Sequence, residues 1–369
     1  MSLSYRAAVL HEAHAPLTLE TVTAAPLHPG DVRVRIRAAG LCHTDLEVIE
    51  GGLRYPMPIV LGHEAAGVVE EVGSQVRAVA PGDPVVLSWN PHCGGCFYCE
   101  RRLPILCEGY LARGAEALAF DGAPRAWLRD GRAVRQLMFL GAFADYCIVP
   151  EQQAVPVPRD IPFDRACLIG CGVMTGVGAA MNVASIRPGD TVMVIGCGAV
   201  GLAAVQGARM AGAADIIAVD LNDEKLALAA TMGATTQVNA ARQDAAEVAR
   251  AATRGRGADV VLESAGSPAG FRVSAEAVRP GGEVIWLGKI DVAKDIALRW
   301  GSLMGEKRIR RSSYGGAHPA RDFPRLARAY LDGHLMLDEL ITRRIALEDI
   351  NAGFDALKRG EAIRSVVIF

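Results

Sequence analysis

One hexapeptide constrains the fold of this chain more than any other feature. Gly196-Cys197-Gly198-Ala199-Val200-Gly201 follows directly on the apolar run Val-Met-Val-Ile at 192–195 and opens an Ala-rich stretch, 199–211. In a G-x-G-x-x-G turn between strand and helix, each glycine has its own task. Gly196 permits the tight turn, Gly198 lets a pyrophosphate approach the backbone, and Gly201 lets the helix pack on the strand. The free amides and the positive end of the helix dipole then favour the anion. A glycine-rich turn alone would be weak evidence. Here the next apolar run, 216–219, ends at Asp220, nineteen residues past Gly201, where a carboxylate would meet the adenosine ribose hydroxyls. That carboxylate would repel a 2′-phosphate, and Leu221, Asn222 and Asp223 follow it rather than an arginine, so NAD is expected over NADP. Lys225 either reaches the ribose or is a solvated helix lysine, and Cys197 reads as a small filler.

The same strand–helix rhythm extends along the chain. Strands are expected at 192–195, 216–219, 260–262 and 284–287, and helices at 199–211 and 224–232. Such alternation implies a parallel sheet with helices on both faces. The first 150 residues read differently. Short apolar runs such as 32–36 and 66–72 are punctuated by Pro29-Gly30-Asp31, Pro56-Met57-Pro58 and Pro81-Gly82-Asp83, which suits a mostly antiparallel β domain. A length of 369 residues fits two domains. The expected division is 1–171, then 172–313, then 314–369 returning to the first domain, with a helix near 323–331 and a last strand at 365–369. The Arg/Gly/Ala-rich segment 109–136 reads as a long loop, and 296–309 could hold an exposed edge strand for pairing between subunits.

With 51% hydrophobic residues the chain can bury sizeable cores, and a net charge of −2 gives no reason to expect nucleic acid. The first sixteen residues lack a basic segment followed by an apolar one, so no secretory signal is expected. The apolar stretches 166–184 and 192–214 are broken by Gly, Arg, Pro or Asp and are not expected to span a membrane. The expectation is a soluble, cytoplasmic protein.

Four of the nine cysteines fall within fifteen residues: Cys93, Cys96, Cys99 and Cys107, spaced C-x2-C-x2-C-x7-C. In a large intracellular chain this reads as a metal site before it reads as disulfides. Four thiolates on one short lobe, about 89–110, suit a tetrahedral structural zinc. The rival is an iron–sulfur cluster, but that run carries a nearer fourth cysteine followed by proline, whereas Cys107 is followed by Glu108. A second set, Cys42, His63 and Cys171, has the Cys2His composition of a catalytic zinc with one position open. Its spacing carries little by itself, and each member could equally be a buried thiol or a core histidine.

Taken together, these motifs resemble the zinc-containing medium-chain alcohol dehydrogenases. The likeness is to the longer-loop branch of liver-type and glutathione-dependent formaldehyde dehydrogenases. It runs through Gly40-Leu-Cys-His-Thr-Asp45, Gly62-His-Glu-Ala-Ala-Gly67, the cysteine lobe, Cys171-Gly-Val-Met-Thr-Gly176, the hexapeptide, Val219-Asp220 and Ile363-Arg364. The resemblance implies a GroES-like β catalytic domain beside an α/β Rossmann domain, two zincs per chain, NAD, an alcohol or aldehyde substrate, and a homodimer. It makes Cys42, His63 and Cys171 the catalytic zinc ligands, Glu64 an acid that approaches the metal, and Asp45 the carboxylate that orients His63. Thr44 becomes the hydroxyl that starts a proton relay, His43 and Arg364 pyrophosphate contacts, and Thr175 a residue against the nicotinamide. Trp89, with Met138, Phe139 and Leu140, becomes the wall of the substrate pocket.

Two positions depart from the resemblance. Glu47 stands where liver-type relatives carry the outer histidine of the relay, which leaves the last proton to Glu47, His43 or water. Leu111 stands where the glutathione-dependent enzymes are expected to carry a carboxylate-binding arginine. The expected reaction is oxidation of a medium-sized, apolar or aromatic primary alcohol. The alternatives are a thiol-adduct formaldehyde dehydrogenase, a zinc-free reductase of the same superfamily and, more distantly, a non-catalytic binding protein of the same fold.

Overall fold

Between Gly172 and Ala317 the alternation of apolar runs and Ala-rich helices produces an all-parallel six-stranded sheet. Its order is Thr236–Asn239, Asp215–Asp220, Thr191–Ile195, Ala258–Glu263, Val278–Trp286, Arg308–Arg311. Thr191–Ile195 is buried along its whole length, which is why it reads as a continuous apolar run rather than an alternating one. The strand order turns around on either side of it, and in such sheets the ligand crevice opens at that point. The crossover helices include Ala199–Met210, Asp223–Thr231, Ala245–Ala252 and Pro268–Ala277. Three start on side-chain caps: Asn222 accepts from the amides of Glu224 and Lys225, Asp244 from Ala246 and Glu247, and Ser267 from Gly270. Thr236–Asn239, Ala245–Ala252 and Pro268–Ala277 add to the elements expected from sequence.

The computed structural model describes residues 3–369. The chain divides into two units, one of Gly172–Ala317 and one that runs up to Cys171 and resumes over His318–Phe369. The latter is mostly antiparallel β. One sheet runs Ala154–Pro156, Pro84–Leu87, Glu64–Val72, Asp31–Gly40, Arg364–Ile368, Ile341–Ile345, with Tyr146–Pro150 also paired to Asp31–Gly40. Five further strands, Ser4–Leu10, Thr18–Ala24, Ala126–Leu128, Ala133–Gln136 and Ile59–Val60, close into a barrel. Leu10, Ile36, Leu61 and Phe143 are fully buried in the core of this unit.

Two expectations are corrected. Segment 109–136 is not a loop: it supplies part of the helix Glu108–Gly114 and the two barrel strands Ala126–Leu128 and Ala133–Gln136. Those strands are too short to show a period. They are held by pairing with distant residues, Val22 opposite Leu128 and Ile59 opposite Arg135, and by a tight turn in which Gly131 has φ +86°. A buried guanidinium fastens the segment: Arg125 Nε lies 2.7 Å from Asp31 Oδ2 and its Nη2 2.8 Å from Asp121 Oδ2. The stretch Phe163–Val183 is likewise not broken by its glycines. It is one helical run, and among the described residues it is long and apolar enough to cross a membrane, with 72% of its apolar window buried in the fold. The glycines serve close packing, not turns. A Cβ on Gly170 would stand 2.8 Å from Leu87 O, and one on Gly176 would stand 2.2 Å from Val200 O.

Replacing Arg125 by Met would leave the buried Asp31 carboxylate without its cation. The expected loss is about 3–5 kcal/mol of stability, read by urea denaturation; a change below about 1 kcal/mol would show that barrel closure does not rest on this pair.

Candidate metal centres and dinucleotide site

Cys42 lies just past the end of strand Asp31–Gly40 and caps the helix His43–Ile49. Asp45, in the first turn of that helix, is fully buried and makes three contacts. Its Oδ2 accepts from the Cys42 amide at 3.3 Å, and its Oδ1 accepts from the Gly62 amide at 2.9 Å and lies 3.1 Å from His63 Nδ1. Nδ1 is thereby the donor, which turns Nε2 toward the sulfurs. Cys171 Sγ lies 3.4 Å from that Nε2. The approach to His63 needs a glycine, since Gly62 has φ +92° and a Cβ there would stand 2.7 Å from the Phe143 amide.

The donor atoms of Cys42, His63 and Cys171 all lie within 4.8 Å of one another. Two thiols and one imidazole, with the imidazole braced by a carboxylate, are the donor set that zinc takes with a position left open. The Cys42 thiol is held well below its usual value, first by a hydrogen bond with Cys171 and then by the charges of His63 and Arg364, against the opposing effect of burial. A thiolate is the form that binds metal.

Beside this cluster, Glu64 and Arg364 form a buried two-pronged ion pair, Nε–Oε1 3.0 Å and Nη2–Oε2 3.3 Å, with Arg364 Nη2 4.0 Å from Cys42 Sγ. The guanidinium assigned by resemblance to the pyrophosphate is thus engaged by Glu64. Gly40 makes room for the pair: a Cβ there would stand 2.5 Å from Glu64 Oε1. The sequence places Gly40 in the motif that opens at Gly40-Leu-Cys, but gives no sign of this role.

The sulfurs of Cys93, Cys96, Cys99 and Cys107 form a second group within the same 4.8 Å limit. Cys96 precedes the helix Phe97–Glu100 and Cys107 precedes Glu108–Gly114, and the Cys93 amide donates to Cys107 Sγ at 3.2 Å. The amides of Cys99 and Glu108 draw the Cys96 thiol down to about 6.

In the other unit, Gly196 has φ +90°, and a Cβ on it would stand 2.7 Å from the Ala265 amide. A Cβ on Gly201 would collide with Gly196 O at 1.7 Å, whereas above Gly198 there is open space. That combination suits a turn packed tightly on its protein side and open on its ligand side. Asp220 stands at the turn: its Oδ2 accepts from the Cys197 amide at 2.6 Å and its Oδ1 from the amides of Leu221 and Asn222. Lys225 is half-buried in the first turn of Asp223–Thr231, and Thr175 is half-buried in Met174–Gly178.

Of the remaining expected residues, Thr44 and Glu47 are half-buried on the Cys42 helix and His43 is exposed. Trp89 and Met138 are half-buried against the core, while Phe139 and Leu140 lie within it. The Phe139 ring makes edge contacts with Tyr110 at 5.4 Å and Phe120 at 5.5 Å, which ties segment 109–136 to the barrel.

Residues 28–159 match the family described as alcohol dehydrogenase GroES-like domain, and residues 199–331 the family described as zinc-binding dehydrogenase. The chain is 37% identical to an alcohol dehydrogenase class-3 of Cereibacter sphaeroides, with 99% of each chain covered. This chain belongs to the zinc-binding alcohol dehydrogenase family. An S-(hydroxymethyl)glutathione dehydrogenase of Paracoccus denitrificans is 36% identical, again with 99% of each chain covered. Among solved structures, an alcohol dehydrogenase zinc-binding domain protein from Burkholderia ambifaria superposes with a TM-score of 0.96 at 34% identity over 100% of both chains. A benzyl alcohol dehydrogenase from Acinetobacter calcoaceticus does so at 0.94 and 30%, over 100% of this chain and 99% of that one. The protein is an oxidoreductase built from a GroES-like domain and a Rossmann domain, and its two cysteine-rich groups are candidate zinc sites of a zinc-binding dehydrogenase.

Asp45→Asn keeps the shape but weakens the brace on His63. Zinc affinity at Cys42, His63 and Cys171 is expected to fall roughly 10–100-fold. Metal analysis after dialysis against a weak chelator should then find the four-cysteine zinc alone; retention of both zincs would show that Asp45 does not support the site.

Proposed function

We propose that this chain is an NAD-dependent zinc alcohol dehydrogenase that interconverts a medium-sized, apolar or aromatic primary alcohol and its aldehyde. The observation that carries the reading is the convergence of Cys42, His63 and Cys171 around His63 Nε2, braced by Asp45. Zinc held by those three side chains supplies a Lewis acid that lowers the pKa of an alcohol oxygen. The chain's own residues do the rest. The amides of the 196–201 turn hold the pyrophosphate. Asp220 takes the adenosine ribose and disfavours a 2′-phosphate. Thr44 Oγ1, in the first turn of the helix that Cys42 caps, relays the alcohol proton, accepting it as its own hydroxyl proton leaves. Glu47 lies three residues on, on the same helix face, and its carboxylate passes the proton outward. Two copies pair through the free edge of Arg308–Arg311.

The aromatic preference draws support from Trp89 and from the likeness to a benzyl alcohol dehydrogenase. A second reading, oxidation of a formaldehyde–glutathione adduct, draws support from the relative of that printed name. Against it stands Leu111, an exposed leucine on Glu108–Gly114 where that reading calls for an arginine.

Steady-state kinetics with aliphatic, terpenoid and aromatic alcohols, and with formaldehyde with and without glutathione, separate the two. Apolar and aromatic alcohols are expected to give the highest kcat/KM. A like-charge clash with a 2′-phosphate costs several kcal/mol, so NAD should exceed NADP by roughly 100-fold. A large gain with glutathione would select the second reading, and a preference for NADP would overturn the role given to Asp220.

A further inference from the structure

Strand order fixes which way a dinucleotide must lie. Asp220 ends the strand on one side of Thr191–Ile195, and Glu263 ends the strand on the other. With the pyrophosphate on the 196–201 turn and the adenosine ribose on Asp220, the nicotinamide half runs the opposite way. It then crosses the ends of Ala258–Glu263 and Val278–Trp286, where Glu263 pairs in register with Ile195 and Trp286.

Glu263 is fully buried at that edge. Its Oε1 accepts from the Gly266 amide at 2.9 Å, and its backbone carbonyl accepts from the amides of Leu287 and Gly288 at 2.7 and 3.0 Å. Its other oxygen, Oε2, is buried with no hydrogen-bond partner among the described residues. Glycines clear the space for this carboxyl: a Cβ on Gly270 would stand 2.6 Å from Oε1, and one on Gly288 2.5 Å from Oε2. Gly266, at φ +62°, lies so close to Lys289 that a Cβ there would stand 2.4 Å from its carbonyl. Glu263 therefore joins two segments, 264–267 and 287–289. The first rests directly on the pyrophosphate turn, where Ser264 Oγ donates to Ile195 O at 3.0 Å and Gly196 O at 2.9 Å.

We propose that Glu263 is a positioning residue for the nicotinamide half of the cofactor: without touching it, the carboxyl, bonded to the Gly266 amide and packed against Gly288, keeps segment 264–267 in the shape that half requires beside segment 287–289, which the Glu263 backbone carbonyl holds. The proposal rests on the dinucleotide reading above. An unpaired buried oxygen is costly as a carboxylate and much less so as an acid. Burial pushes the Glu263 carboxyl up to about 7, against the amides of Gly266, Ala265 and Ser267 and the positive charge of Arg311. Arg311, on the edge strand, is itself turned to the carbonyls of Trp286 and Ser312. Ionisation of Glu263 thus leaves a charged, unpaired oxygen packed against Gly288, and the anionic cofactor favours the neutral acid.

The test is fluorescence titration of zinc-loaded wild type, Glu263→Gln and Glu263→Ala with NADH and with ADP-ribose, which lacks the nicotinamide. Glu263→Ala is expected to weaken NADH about tenfold and ADP-ribose less than about twofold. In wild type, NADH affinity should fall as pH rises through about 7. Glu263→Gln, which keeps the neutral shape, should bind NADH as wild type does at low pH and lose that slope. Should Glu263→Ala fold poorly, the Gln pH profile decides: a slope unchanged from wild type overturns the proposal. Wild type that binds both ligands, with Glu263→Ala losing both equally or neither, overturns this proposal alone. Wild type that binds neither ligand overturns the dinucleotide reading and this proposal with it.

Discussion

The Asp45 carboxylate is the interaction on which the candidate metal centre depends. It starts the helix that carries Thr44 and Glu47 by taking the Cys42 amide, and it fixes the Gly62 turn by taking that amide as well. Its contact with His63 Nδ1 decides which imidazole nitrogen is left for metal. One buried carboxylate thus brings together two candidate ligands that are twenty-one residues apart and sets the direction of the second. Arg364, paired with the buried Glu64, places its positive charge near the Cys42 sulfur, which favours the thiolate.

Around the dinucleotide turn the same economy is achieved with glycine. Gly196, Gly201, Gly266, Gly270 and Gly288 are positions where any Cβ would come within 3 Å of a neighbouring atom. Backbone approaches backbone at all of these but Gly270, which faces the Glu263 carboxyl, and the carboxyls of Asp220 and Glu263 fill the space that remains, on either side of the central strand. Close packing of this kind is stiff, so the site's shape is set before a ligand arrives.

Legibility in the sequence follows how local each constraint is. The hexapeptide with Asp220 and the four-cysteine lobe are short-range patterns, and both could be read from spacing. Cys171 is 108 residues from His63 and joins it only through the fold, so the catalytic set rested on resemblance. Segment 109–136 reads as a loop in sequence because strands of three and four residues carry no period; their partners lie far away, in Thr18–Ala24 and Ile59–Val60. The glycines of 166–184 suggested breaks, yet they mark close contacts within a continuous helix. Glu263 gave no signal, because an acid at the end of a strand looks ordinary until its surroundings are known to be closed.

If Cys42, His63 and Cys171 hold the zinc on which alcohol oxidation depends, losing one of them must cost both metal and activity. Zinc content and NAD-linked oxidation of benzyl alcohol, measured on the same preparation of Cys42→Ala, test it most directly. The variant is expected to keep its fold, carry the single zinc of Cys93, Cys96, Cys99 and Cys107, and oxidise no alcohol above background. Activity near that of the wild type with one zinc per chain would contradict it.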